Sequence, residues 1–119
     1  MPEDAYRSLV TAADFHEDTR AFFHGRTVAV TGGSGFIGSH VVEQLLSLGA
    51  DPLVISRRKR PPFLESIHDQ IDLRQCDLND YASTAEAMRG ASVVLSLAAS
   101  VAGLEYNAAH PASIFQDNL

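Results

Sequence analysis

Four of the eight residues in Thr31-Gly32-Gly33-Ser34-Gly35-Phe36-Ile37-Gly38 are glycine, and no other stretch limits the fold so tightly. Before it stands TVAVT, residues 27–31, a short β-branched run of the kind that forms a strand buried on both faces. After it Ile37, Val41, Leu45 and Leu48 recur at helical spacing, and Gly49 ends that helix. A strand that turns into a helix through glycines meets three steric demands. Gly32 suits a tight turn, Gly35 lets the backbone come close to a pyrophosphate, and Gly38 lets the helix pack against the strand. The start of the helix then offers unpaired N–H groups and a partial positive charge to phosphate. Candidate contacts to such a ligand are Gly32, Ser34, Gly35, Phe36, Ile37 and Gly38.

The rest of the chain repeats the alternation. PLVIS (52–56) reads as a second buried strand, IDLRQC (71–76) as a third and ASVVLSLAA (91–99) as a fourth. Pro61 and Pro62 break the chain after strand two, with a short helix around 63–69. Asp80 is placed to cap a helix through Met88, closed by Gly90, and Pro111 suits the first turn of another. At the N-terminus Tyr6, Leu9, Val10 and Ala13 form a loose helical stripe, so residues 1–25 are expected as a helical arm outside a domain of residues 26–119. Strands alternating with helices imply an α/β fold with a parallel sheet and right-handed crossovers. The expected architecture is the N-terminal half of a Rossmann-type doubly wound sheet, about four strands with flanking helices. Such a half-sheet leaves the edge of strand four bare, a liability unless something covers it.

A length of 119 residues allows one small domain. A net charge of −6 disfavours nucleic acid and anionic membrane as partners, and the run 91–104 is too short to span a bilayer. Against that acidic background stands one basic run, Arg57-Arg58-Lys59-Arg60. The single cysteine, Cys76, permits no internal disulfide and reads as a small buried hydrophobe; with no apolar signal core at the N-terminus, a cytoplasmic location is expected. His16, His24, His40, His68 and His110 show neither helical pair spacing nor a cysteine at zinc spacing, so no metal site is expected.

The spacing Thr-Gly-x-x-Gly-x-x-Gly resembles the short-chain dehydrogenase/reductase superfamily. Leu97-Ala98-Ala99 resembles the Leu-Ala-Ala of its extended branch, the nucleotide-sugar epimerases and dehydratases, although Ser96 stands where that branch usually has His. Val101-Ala102-Gly103-Leu104 with Asn107, Pro111, Phe115, Asp117 and Asn118 is similar to the segment that follows, nearest to reductases and epimerases resembling GDP-fucose synthase. The resemblance covers residues 26–119. It implies NAD(P) as cofactor, a nucleotide-sugar substrate for the full-length protein, and Asp77 and Leu78 as adenine contacts. It also implies that Leu97, Ala98 and Ala99 line the cofactor site, and that Asn118 matches an asparagine supporting the catalytic lysine through water. The family often forms homodimers through helices that include the one begun at Pro111, which leaves the oligomeric state open.

The choice of nucleotide turns on the end of strand two. NAD binders carry a carboxylate there, about 20 residues past the glycines, for the ribose hydroxyls. Here the position is Ser56, followed by Arg57 and Arg58, which can clamp a 2′-phosphate, so NADP is favoured and NAD is the alternative. A solvated basic loop remains the other reading of the same residues.

The family's chemistry resides in a Ser or Thr and a Tyr-x-x-x-Lys pair. Tyr6, Tyr81 and Tyr106 are followed four residues on by Val10, Ala85 and His110, and the sole lysine is Lys59. No catalytic residue is therefore assigned, and these 119 residues are expected to show no turnover. Two function classes follow: the cofactor-binding portion of a nucleotide-sugar oxidoreductase, epimerase or dehydratase, or a non-catalytic NADP-binding sensor or interaction module. The family-like run up to Asn118 favours the first.

Overall fold

A computed structural model describes residues 11–99 and 108–118. Its centre is a parallel sheet of β1 (Thr27–Thr31), β2 (Asp51–Ser56), β3 (Asp72–Gln75) and β4 (Val93–Ser96), in the order β3-β2-β1-β4. Between them run α1 (Glu17–Phe23, before β1), α2 (Phe36–Ser47), a 3-10 segment (Pro62–Gln70) and α3 (Tyr81–Ala87), with α4 (Pro111–Asp117) after β4. This is the expected Rossmann-like half: β1 is central, Ala29 pairing with Leu53 on one side and Val94 on the other.

The connections put α2 and the 3-10 segment on one face of the sheet. There Val28, Val30 and Val54 pack with Val42 and Leu45 of α2 and with Leu64 and Ile67. The return from β3 to β4 crosses the opposite face, where Ala29, Leu53 and Ile55 meet Cys76 and Ala87 of α3. β1 and β2 are buried on both faces, as their β-branched runs imply. Burial alternates along β4, leaving Val94 48% exposed on the α3 side.

Local chemistry explains the boundaries. The N–H of Ala50 bonds the Leu45 carbonyl at 3.0 Å and that of Gly49 the Leu46 carbonyl at 3.0 Å, with Gly49 at φ +76°; this left-handed closure turns α2 directly into β2. Asp80 caps α3, its carboxylate accepting from the Ser83 amide at 3.2 Å and the Ser83 hydroxyl at 3.0 Å. Those two bonds hold the Asp80 carboxyl below its ordinary value. The segment around 63–69 forms a 3-10 helix over Pro62–Gln70, and Leu64 and Ile67, three residues apart, both turn inward at three residues per turn. α1 lies within residues 1–25, expected as a helical arm, and C-terminal to the apolar stripe that suggested it. His16 caps it, Nδ1 accepting from the Asp18 amide at 3.2 Å, and it buries none of its residues fully. The stripe at Tyr6, Leu9 and Val10 lies outside the described residues. Among the described residues no helix is long and apolar enough to cross a membrane.

Candidate functional site

Strand order reverses between β1 and β4, and in open α/β sheets the crevice beyond the carboxyl ends at such a point is where ligands bind. The glycine turn leaves β1 on one side of that crevice, and Leu97-Ala98-Ala99 leaves β4 on the other. Contact between them is close. A Cβ on Gly32, whose φ is +73°, would lie 2.6 Å from the Leu97 carbonyl carbon and the Ala98 nitrogen. A Cβ on Gly38 would lie 2.0 Å from the Gly32 carbonyl oxygen, so the first turn of α2 rests on the backbone of the loop before it. A Cβ on Gly33, a residue not singled out by the sequence, would lie 3.2 Å from methyl carbons of Val30, Val42 and Val54, so the turn runs close over the core.

Gly35 differs from these. A Cβ there would meet only the Gly32 carbonyl, at an ordinary 3.5 Å, and its other side is open. Gly35 is the N-cap of α2, and a glycine has no side chain to satisfy the first-turn amides. The first helical bond runs from the Ser39 N–H to the Gly35 carbonyl at 2.9 Å, so the amides of Phe36, Ile37 and Gly38 precede it. The Phe36 and Ile37 side chains are exposed beside this opening. An uncapped helix start, an open face and a backbone without Cβ atoms form a cradle that fits a pyrophosphate.

Thr31 braces the two walls, a role the sequence reading left unassigned. Its Oγ1 accepts from the Leu97 N–H at 3.2 Å and the Ala98 N–H at 3.3 Å, and lies 3.4 Å from the Ser96 hydroxyl. The side chain is nearly fully buried, and its hydroxyl joins the Thr31 carbonyl, which accepts from the Leu97 N–H at 3.0 Å, in holding the Leu97-Ala98-Ala99 segment against the glycine turn.

At the end of β2 Ser56 is buried, and Arg57, Arg58, Lys59 and Arg60 are exposed. The basic residues divide. Arg60 grips Glu65 with its Nη2 and Nε, the shortest contact 2.7 Å, and this bond holds the Glu65 carboxyl below its ordinary value and the Arg60 guanidinium above its own. The guanidinium groups of Arg57 and Arg58 have no hydrogen-bond or ion-pair partner among the described residues. No carboxylate occupies positions 56–58.

After β3, Asp77 is exposed and its Oδ1 accepts from the Asn79 amide at 3.0 Å; Leu78 beside it is 37% exposed. Cys76 is buried, its Sγ 3.7 Å from the Thr84 hydroxyl. Asn118 closes α4, its Nδ2 donating to the Ile114 carbonyl of the same helix at 2.9 Å. Val101–Leu104 and Asn107 lie outside the described residues. The fold thus gathers Gly32, Ser34, Gly35, Phe36, Ile37 and Gly38 with Leu97 and Ala98 into one crevice. Ser56, Arg57 and Arg58 stand at the end of the neighbouring strand.

Comparison with known proteins agrees with this geometry. The pattern that defines the NAD dependent epimerase/dehydratase family matches residues 28–119. The chain is 35% identical over 86 residues to a dTDP-4-dehydro-6-deoxy-D-allose reductase of Streptomyces bikiniensis, a match covering 71% of this chain and 26% of the reductase. It is 29% identical over 104 residues to a decarboxylating sterol-4-alpha-carboxylate 3-dehydrogenase of Dictyostelium discoideum, covering 79% of this chain and 27% of that protein. Among solved structures a UDP-glucose 4-epimerase from Thermotoga maritima superposes with a TM-score of 0.62 at 26% identity, over 76% of this chain and 29% of the epimerase. The chain therefore spans about a quarter of the length of these curated relatives. Members of the matched family bind NAD(P). With the family pattern matching residues 28–119, from β1 through the glycine cradle and beyond β4, the chain belongs to the NAD dependent epimerase/dehydratase family.

Proposed function

We propose that this chain is the NADP-binding portion of a nucleotide-sugar epimerase, dehydratase or reductase. The observation that carries the reading is the cradle. Gly32 and Gly38 admit no Cβ, while Gly35 opens to solvent at the uncapped start of α2. In this reading the Phe36, Ile37 and Gly38 amides hold the pyrophosphate, with the helix dipole adding favourable potential. Ser34 lies alongside on the turn. Asp77 and Leu78 border the adenine, and Leu97, Ala98 and Ala99 border the nicotinamide half. When bound, the nicotinamide supplies and accepts a hydride at a sugar carbon. Ser56 brings no charge against a 2′-phosphate, and Arg57 and Arg58 are free to take it in charge-assisted bonds. The sugar reading rests on the likeness to the allose reductase and the glucose epimerase. The 119 residues contain no Tyr-x-x-x-Lys, so they bind cofactor and move no proton of the substrate.

Fluorescence titration of the purified chain with NADPH and NADH tests this. NADPH is expected to bind at least about tenfold more tightly, the worth of one charge-assisted bond. Failure of both to bind at millimolar concentration sinks the cofactor reading, and tighter NADH sinks the NADP preference. Steady NADPH oxidation with a nucleotide-sugar ketone refutes the absence of turnover.

A further inference from the structure

We propose that Gln75, the last residue of β3, is a positioning residue that tunes the choice between NADP and NAD. The inference rests on the NADP reading above and concerns a residue that touches neither nucleotide.

The geometry lies in one peptide unit. The Arg58 N–H donates to the Ser56 hydroxyl at 3.0 Å. The Gln75 carboxamide Nε2 donates to the Arg57 carbonyl at 2.9 Å. That N–H and that carbonyl are the two ends of the same peptide plane, the one joining Arg57 to Arg58. The plane is rigid and contains both Cα atoms, so holding its two ends sets where both guanidinium side chains start. One anchor comes from β2, the other from β3, and the strands themselves are in register there: Ser56 pairs with Gln75, and the Cys76 N–H bonds the Ser56 carbonyl at 2.9 Å.

The far end of the loop is held as well. Pro61 is fully buried and the Arg60–Glu65 fork closes over the next turn. The loop is therefore braced on both sides of the two arginines, whose guanidinium groups have no partner among the described residues. A loop already in its binding conformation has less freedom to lose when a phosphate arrives. The brace acts on arginine placement alone, so it should alter affinity for a 2′-phosphate and leave the pyrophosphate cradle untouched.

Gln75→Met keeps the length and the apolar stem of the side chain and removes the donor. The experiment compares NADPH and NADH dissociation constants for the wild-type chain, Gln75→Met, Ser56→Ala and an Arg57→Ala/Arg58→Ala double variant, with a melting curve for each. In Gln75→Met, NADPH affinity is expected to fall about threefold to tenfold, the worth of one hydrogen bond, while NADH affinity stays within about twofold. Ser56→Ala, which frees the other end of the plane, is expected to narrow the same ratio. An equal loss for both nucleotides, or none for either, overturns the inference. The failure modes separate. If the wild-type chain does not prefer NADPH, the NADP reading falls and the role of Gln75 with it. If the arginine variant loses the preference and Gln75→Met keeps it, only the role of Gln75 falls.

Discussion

Adding one methyl group at Gly38 gives the sharpest test of the cradle. The new Cβ would sit 2.0 Å from the Gly32 carbonyl oxygen and 2.8 Å from the Gly32 carbonyl carbon and the Gly33 Cα. A carbon–oxygen contact settles at about 3.3 Å or more, so helix and turn must separate by roughly 1.3 Å. The atoms it would strike are all backbone, so no flexible side chain can swing aside. Two consequences follow. Overpacking of this kind costs about 1–3 kcal/mol, which for a domain of this size lowers Tm by roughly 4–12 °C. A shift of about 1 Å also moves the first-turn amides past the distance at which an N–H···O bond survives, so NADPH binding should weaken by roughly 100-fold or more. Gly35→Ala is the matched control. Its φ of −80° and ψ of 177° suit any residue, and its Cβ would make only an ordinary contact with the Gly32 carbonyl, at 3.5 Å. That variant should melt within about 1 kcal/mol of wild type, the difference between glycine and alanine at an N-cap, yet lose NADPH because the methyl occupies the phosphate's place. Differential scanning fluorimetry and fluorescence titration read the two quantities separately. The reasoning is refuted if Gly38→Ala retains both stability and affinity, or if Gly35→Ala loses stability while affinity stays.

Other expectations follow from the site and its supports. Thr31→Val removes the hydroxyl that receives the Leu97 and Ala98 amides and leaves the Ala98 N–H without that acceptor; a cost of about 1–3 kcal/mol is expected in urea unfolding. Replacing Arg57 and Arg58 together by Ala should weaken NADPH about tenfold or more and leave NADH near its wild-type affinity, read by titration at fixed salt. The Asp80 carboxyl is held below its unfolded value by Ser83, so its contribution to stability is present above about pH 4 and is lost as pH falls through the lower, folded value. Asp80→Asn should flatten that acid limb of a Tm-against-pH curve, and an unchanged limb would assign it to other carboxylates.

The parallel α/β half-sheet could be read from the sequence because β1 and β2 are buried on both faces and leave continuous apolar runs flanked by glycines. The edges were less legible. β3 shrinks to Asp72–Gln75 and β4 to Val93–Ser96, because an edge strand ends where its one neighbour ends, and β1 stops at Thr31. The apolar Leu97-Ala98-Ala99 run continues past the ladder and becomes crevice wall. Within the arm the bounds of α1 were not legible, because its cap is a histidine and it buries nothing fully, so neither cap chemistry nor apolar periodicity marked them. Of the candidate site, the glycines and the arginines stand out in the sequence as local motifs. Thr31 and Gln75 do not, since each acts on a segment it meets only after folding: Thr31 on Leu97, Gln75 on Arg57. The tightness of Gly33 likewise depends on Val54, which arrives with β2.

The union of β1 with β4 has a bearing on how the chain folds and opens. β1, α2 and β2 are contiguous and can assemble by short-range contacts, whereas the bonds from Thr31 to the end of β4 bridge 65 to 67 residues. Contacts of such separation carry a loop-closure cost and tend to form late. β4 is also an edge strand with one face half open, so it is the strand whose amides should exchange with solvent at lowest free energy. The crevice has one wall from the first strand and the other from the last, and is complete only while β4 is docked. In the proposed reading a dinucleotide between these walls would act as a clasp on this edge strand, and saturating NADPH is expected to slow amide exchange in Val94 and Leu95 more than in Val54.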